Sequence, residues 1–273
     1  MNENLKSDPE SLDSLMYLAR SYAESDKKKD ALNAIIHALK IAPNYPEALK
    51  LKADILLSLK RYYEALSELK KALKIDETDP EIYFNIATIY YNIKQYDKAL
   101  ESINEAKRVS NGDDEQIYEL SSNINSKLDN LDDAISDIDN AIKYSVDDSD
   151  NSLKLEKVIL LDKSGRFDDA LSLVNTILEK DNDDYFAFYI LIKILVKNNK
   201  VDKLMEIVNQ RKLNDDIKSL LNLYIDKGSP RTYGEVNEII KNLKKYADKD
   251  DFESNLYTTI LLGIYTKINF NNK

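Results

Sequence analysis

The sequence predicts an all-α chain of repeated helix–turn–helix units, and three observations predict it. The 273 residues include only 5 Gly and 5 Pro, too few turn formers for a sheet protein of this length. Five segments align without gaps: DALNAIIHALKIAPN, EALSELKKALKIDET, KALESINEAKRVSNG, DAISDIDNAIKYSVD and DALSLVNTILEKDND. Their first alanines, Ala31, Ala65, Ala99, Ala134 and Ala170, recur at intervals of 34, 34, 35 and 36 residues. A fixed period of that size marks a repeat architecture. Each segment also carries apolar residues at i, i+1, i+4 and i+7, the stripe that a packed helix buries.

Upstream of each segment the pattern predicts a second helix of about 14 residues. Twelve residues before the alanine stands a small or aliphatic residue: Ala19, Ala53, Ala87, Ser122 and Val158. Large residues flank it, Leu15, Leu18 and Tyr22 in the first unit and Tyr83, Ile86 and Tyr90 in the third. The small residue lets two helices approach, and the large ones fill the space around them. Short turns join the paired helices, three of them ending in an aromatic: LKRYYEA, IKQYDKA and SGRFDDA. Asp and Asn gather at the junctions between units (DETD, NGDDE, DDSDN, DNDD), where they cap the next helix. Pro9, Pro46 and Pro80 fall at or near helix starts, where a missing amide hydrogen costs least.

These residues resemble the tetratricopeptide repeat, a family of stacked 34-residue helix–turn–helix units. With unit starts at Leu12, Pro46, Pro80, Glu115 and Asn151, the family pattern falls at positions 4, 7, 8, 11, 20, 24, 27 and 32. The first unit supplies Leu15, Leu18, Ala19, Tyr22, Ala31, Ile35, Ala38 and Pro43; the third supplies Tyr83, Ile86, Ala87, Tyr90, Ala99, Ile103 and Ala106. The chain departs from the pattern in having no Trp at position 4 and alanine in place of Gly at position 8. Units four and five depart further, with Ser121, Ser122 and Asn125, or Lys154 and Lys157, at usual core positions. The resemblance covers roughly residues 12–184 and implies a right-handed α-solenoid.

The organisation expected is a lead-in over 1–11, then five units at 12–45, 46–79, 80–114, 115–150 and 151–184. Residues 185–273 read as degenerate repeat-like helices closing in a C-terminal cap, which covers the apolar face that a solenoid end exposes. Within them, Tyr185–Arg211 gives another helix pair, with Leu204 at the alanine position and Val208 at a core position. Asp215–Lys227, a break at Gly228-Ser229-Pro230, Tyr233–Tyr246 and a last helix near Phe252–Phe270 follow. A small separate helical domain is the alternative for this stretch.

Composition narrows the function. With 39 Lys plus Arg against 49 Asp plus Glu, the net charge is -10 and the pI near 4.9, which argues against nucleic acid and anionic membranes as partners. The absence of Cys excludes disulfides, thiolate catalysis and Cys-ligated metals. The single histidine, His37, leaves no His-based metal cluster and is expected at the surface. No GxxxxGK[ST], GxGxxG, GxSxG or HExxH pattern occurs. The junction Asp147-Asp148-Ser149-Asp150-Asn151 fails as a calcium loop, since an EF-hand register from Asp148 puts Leu153 at the turn glycine and Ile159 at the bidentate acid. Neither enzyme activity nor a cofactor is expected. The N-terminal run lacks the basic start and apolar stretch of a signal peptide, and Leu256–Phe270 is too short and too polar to span a bilayer. The expected address is cytoplasmic.

The resemblance implies a protein-interaction scaffold or adaptor. In that family the first helix of each unit lines a concave groove, with positions 2, 5, 6, 9, 12 and 13 pointing into it. Mapped here, those positions include Met16, Tyr17, Arg20, Lys50, Leu51, Asp54, Phe84, Asn85, Thr88, Tyr91, Asn92 and Asn123. Such a mixture of aromatics, amides and few charges suits an extended peptide or a partner helix. One branch of the family clamps C-terminal carboxylates with Lys, Asn and Arg at set positions. Here those positions hold Lys50, Asp54, Asn85, Gln116 and Leu120, and Asp54 repels a carboxylate. Lys127, Lys163 and Lys197 recur at position 13, either as a basic row for an acidic segment or as charges complementing helix C-termini. Two alternatives remain. One is self-association, a homodimer formed through Leu256, Tyr257, Ile260, Leu261, Ile264 and Tyr265 of the last helix. The other is a non-catalytic regulatory subunit of an enzyme complex.

Overall fold

The computed structural model describes residues 11–210, apart from 111, 148–150, 182–183 and 199. The lead-in before Ser11, the C-terminal cap, the self-association residues Leu256 to Tyr265 and Asp148 to Asp150 of the acidic junction lie outside the described residues. Among those described there are twelve α-helices and no strand. They are α1 (Leu12–Glu24), α2 (Lys28–Ile41), α3 (Pro46–Ser58), α4 (Tyr62–Leu73), α5 (Pro80–Asn92) and α6 (Tyr96–Val109), then α7 (Glu115–Lys127), α8 (Leu131–Tyr144), α9 (Ser152–Lys163), α10 (Phe167–Lys180), α11 (Tyr185–Lys197) and α12 (Val201–Gln210). No helix among the described residues is long and apolar enough to cross a membrane.

The chain divides into two compact units, residues 1–146 and 147–273. In the first, consecutive helices pair as α1–α2, α3–α4, α5–α6 and α7–α8, and the second helix of each pair packs on the first helix of the next. First helices also touch one another, α1 with α3, α3 with α5 and α5 with α7, which makes them one face of a helical solenoid. In the second unit α9 pairs with α10, α10 packs on α11, α11 pairs with α12, and α9 touches α11.

The repeat pattern is a packing pattern. Position 8 and position 20 alanines share a core cluster in each of the first three pairs: Ala19 with Ala31, Ala53 with Ala65 and Ala87 with Ala99. A larger side chain at either place forces the helices apart, an overpacking cost of about 1–3 kcal/mol. Position 24 supplies a large aliphatic residue in each unit, Ile35, Leu69, Ile103, Ile138 and Val174, and all are fully buried. Position 27 is buried throughout, as Ala38, Ala72, Ala106, Ala141 and Ile177, and in the first three repeats it closes the contact with the next one.

Capping sets the helix starts. Pro46 and Pro80 occupy the first turn of α3 and α5. Asp79 accepts from the Glu81 amide at 2.9 Å, Asp114 from the Gln116 and Ile117 amides at 2.9 and 3.2 Å, and Asp184 from the Ala187 amide at 2.9 Å. Each satisfies an amide that the helix itself leaves open. Asn151 occupies the N-cap of α9 without a side-chain capping bond.

The fourth pair keeps the fold with a polar interior. Ser121 and Asn125 face Asp137 of α8, donating to its Oδ2 at 2.7 and 2.9 Å. Lys107 of α6 pairs with the Oδ1 of the same carboxylate. Ser122, at position 8, donates to the Ala134 carbonyl at 2.9 Å. The polar residues at core positions are therefore hydrogen-bonded rather than stranded.

Candidate functional site: the first-helix face

The first helices of unit one carry the side chains that the repeat pattern assigns to a binding face. Tyr17 is 48% exposed, and Arg20, Asp54 and Asn92 are exposed as well. Leu51, Phe84, Asn85, Thr88, Tyr91 and Asn123 are half-buried. Met16 is a correction: at 8% exposure it belongs to the core of the first pair, packed with Leu15, Ala34 and Ile55, and offers no surface. His37 is exposed on α2.

Contacts between neighbouring first helices shape this face. Lys50 of α3 reaches α5, where its Nζ lies 2.8 Å from Asp79 Oδ2 and also pairs with Glu81. Partial burial works against the Lys50 charge, but the hydrogen bonds and charges of those two acids outweigh it and hold its pKa above that of an ordinary lysine. One turn along α3, Asp54 accepts a hydrogen bond from Asn85 Nδ2 at 2.9 Å. Desolvation pushes the Asp54 carboxyl up to about 6, with Glu81 adding to the rise and Lys50 opposing it. Although crowded, Asp54 keeps enough exposed surface for a ligand to reach. Three carboxylates thus share one ammonium.

Aromatic and amide groups continue the face along α5. Phe84 and Tyr91 rest their inner edges on the core of the third pair, and Tyr91 meets Tyr96 with ring centroids 5.6 Å apart. Thr88 donates to the Phe84 carbonyl and Asn92 to the Thr88 carbonyl, both at 2.9 Å, so these side chains are held against their own helix.

The three lysines at position 13 each occupy the last turn of a first helix, where positive charge complements the helix dipole. Lys127 lies in the compact unit over 1–146, Lys163 and Lys197 in that over 147–273. Lys197 is drawn to Asp162 at 2.6 Å, and Asn198 donates to the other oxygen of that carboxylate at 2.7 Å. Lys197 therefore already has an acidic partner. Sequence reasoning missed Asp79 and Glu81. The signal for Glu81 was its place at position 2 of unit three, on the face next to Lys50.

Family models match three stretches. Residues 53–94 match a TPR repeat model, residues 80–113 a tetratricopeptide repeat model, and residues 1–72 the model of anaphase-promoting complex, cyclosome, subunit 3. No curated protein matches the chain. Among solved structures it is similar to a tetratricopeptide repeat protein from Parabacteroides merdae ATCC 43184, with a TM-score of 0.62, 15% identity, and 93% of this chain and 98% of that chain covered. It is also similar to PilF of Pseudomonas aeruginosa, at TM-score 0.59 and 18% identity over 73% of this chain and 89% of that one. A third is YrrB, described as a TPR protein with an unusual peptide-binding site, at TM-score 0.55 and 20% identity over 65% and 90%. Identities this low bear on the fold alone. The period, the paired helices with their buried alanines and the matching repeat models lead to one statement: residues 53–113 are tetratricopeptide repeats, set in a chain with the fold of such repeats.

Proposed function

We propose that this chain is a protein-interaction scaffold that binds an extended segment of another protein along the first helices of unit one. The observation that carries this reading is the composition of that face. Tyr17, Arg20, Asp54 and Asn92 are exposed on helices that touch side by side, and Phe84 and Tyr91 on α5 are half-buried aromatics packed against the core. Aromatic anchors beside amides and a few charges are what a peptide-binding surface uses. Binding, not bond-making, is the task such a face suits.

An affinity capture from native lysate tests it, comparing wild type with a Tyr17→Ala, Phe84→Ala, Tyr91→Ala variant. The variant's helical circular dichroism serves as the folding control. A partner held by the wild type and released by a folded variant supports the groove. Partners held equally by both move the binding site to another face.

A further inference from the structure

We infer that the face built by α3 and α5 accepts an extended peptide that sets a lysine or arginine against Asp54 and an apolar side chain beside Phe84 and Tyr91. The inference rests on the groove reading above and names what that groove takes.

Charge complementarity carries it first. Lys50 is committed to Asp79 and Glu81, while Asp54 is met by a neutral amide, the Asn85 Nδ2 at 2.9 Å. A neutral donor satisfies an oxygen but adds no positive charge, and the one ammonium nearby is shared with Asp79 and Glu81, so the Asp54 charge is only partly compensated. An incoming ammonium or guanidinium does for Asp54 what Lys50 does for Asp79. An incoming carboxylate meets Asp54 and Glu81 and is repelled.

The apolar half of the guest follows from α5. Phe84 is the residue next to Asn85, and Tyr91 lies two turns further on, both half-buried and so partly open to solvent. A peptide anchored at Asp54 therefore runs past aromatic surface, where an aliphatic or aromatic side chain is desolvated. The net charge of -10 acts at longer range, steering a cationic segment toward the chain and an anionic one away. The raised pKa of Asp54 adds a condition. Its carboxyl must ionise to hold a cation, so binding weakens as pH falls through about 6.

Selection of a phage-displayed library of random peptides on the full-length chain tests the inference, followed by fluorescence anisotropy on labelled copies of the selected peptides. The expected peptides carry Lys or Arg at a fixed spacing from an apolar residue. Their affinity falls about tenfold with Asp54→Asn, and falls again in the wild type at about pH 5. Asp54→Lys, checked for wild-type helicity and melting, selects peptides with an acid at the same place. Peptides that lose binding to Tyr17→Ala or Phe84→Ala but ignore both Asp54 variants overturn this inference and leave the groove reading standing. A library that yields no peptide sensitive to Tyr17 or Phe84 removes both.

Discussion

Asp137 is 7% exposed at the junction of the third and fourth pairs, and its carboxylate holds groups from two other helices, α6 and α7. Lys107 pairs with one oxygen, and Ser121 and Asn125 donate to the other. The Lys107 ammonium also lies over the Tyr118 ring, 5.1 Å from its centroid. Removing the acid leaves a half-buried cation and two buried donors without their acceptor, which is why breaking one side of such a cluster costs more than the cluster contributes. Asp137→Ala is expected to destabilise the chain by about 3 kcal/mol, and Asp137→Asn by less, since the amide oxygen still accepts. Urea denaturation followed by circular dichroism measures both, and an Ala variant within about 0.5 kcal/mol of wild type refutes the account. This cluster was not legible in sequence. Ser121, Ser122 and Asn125 read as weak core positions, and nothing on α8 set Asp137 apart from its exposed neighbours Asp133 and Asp139. A hydrogen-bond partner on the next helix is a matter of packing, and the hydrophobic pattern carries no trace of it. Glu68 repeats the device in the second pair, buried and paired with Lys52 at 3.0 Å and Lys71 at 3.1 Å.

Each of the first five helix pairs turns through one residue with a left-handed backbone. Asp26, Lys60, Lys94, Asp129 and Gly165 have φ of 57°, 59°, 61°, 65° and 79°, and all stand at position 15 of their units. In the second turn the Arg61 amide donates to the Leu56 carbonyl and Lys60 to Leu57; in the third, Gln95 donates to Tyr90 and Lys94 to Tyr91. These paired bonds close the first helix with a left-handed residue, a place where glycine carries no Cβ penalty. Only the fifth unit uses glycine there. Lys60→Gly and Lys94→Gly are each expected to stabilise the chain by about 0.5–1 kcal/mol, and Gly165→Ala to destabilise it by about 1 kcal/mol. Thermal melts of the three variants decide it, and opposite signs for the lysine and glycine changes are the diagnostic outcome. Element boundaries were legible because the period and its caps agree. Leu12, Pro46, Pro80 and Glu115 begin both the sequence units and α1, α3, α5 and α7. Met16 escaped the same logic, because a 3.6-residue period places a residue on a face without saying whether the neighbouring helix covers that edge. The partners of Lys50 escaped it too, lying 29 and 31 residues further along the chain.

In a repeat array, stability is close to a sum of repeat and nearest-neighbour interface terms. The division after Val146 therefore has a consequence for the whole molecule. Unit one contains four complete pairs and the three core clusters that run from Leu15 to Ile124. Three repeats are about the minimum for a stable stack, so a fragment ending at Val146 is expected to fold alone. It should keep the helical circular dichroism of its pairs and unfold in one cooperative urea transition. The fragment also contains Tyr17, Asp54, Phe84, Asn85 and Tyr91. Peptides selected on the full chain should therefore bind it within about threefold of their original affinity, because sites without shared partners act additively. A fragment that folds cooperatively yet loses those peptides would place essential binding residues in the second unit. A fragment without a cooperative transition would show that the four pairs depend on helices beyond them. Unit one would then be a compact part of the chain, not an independent domain.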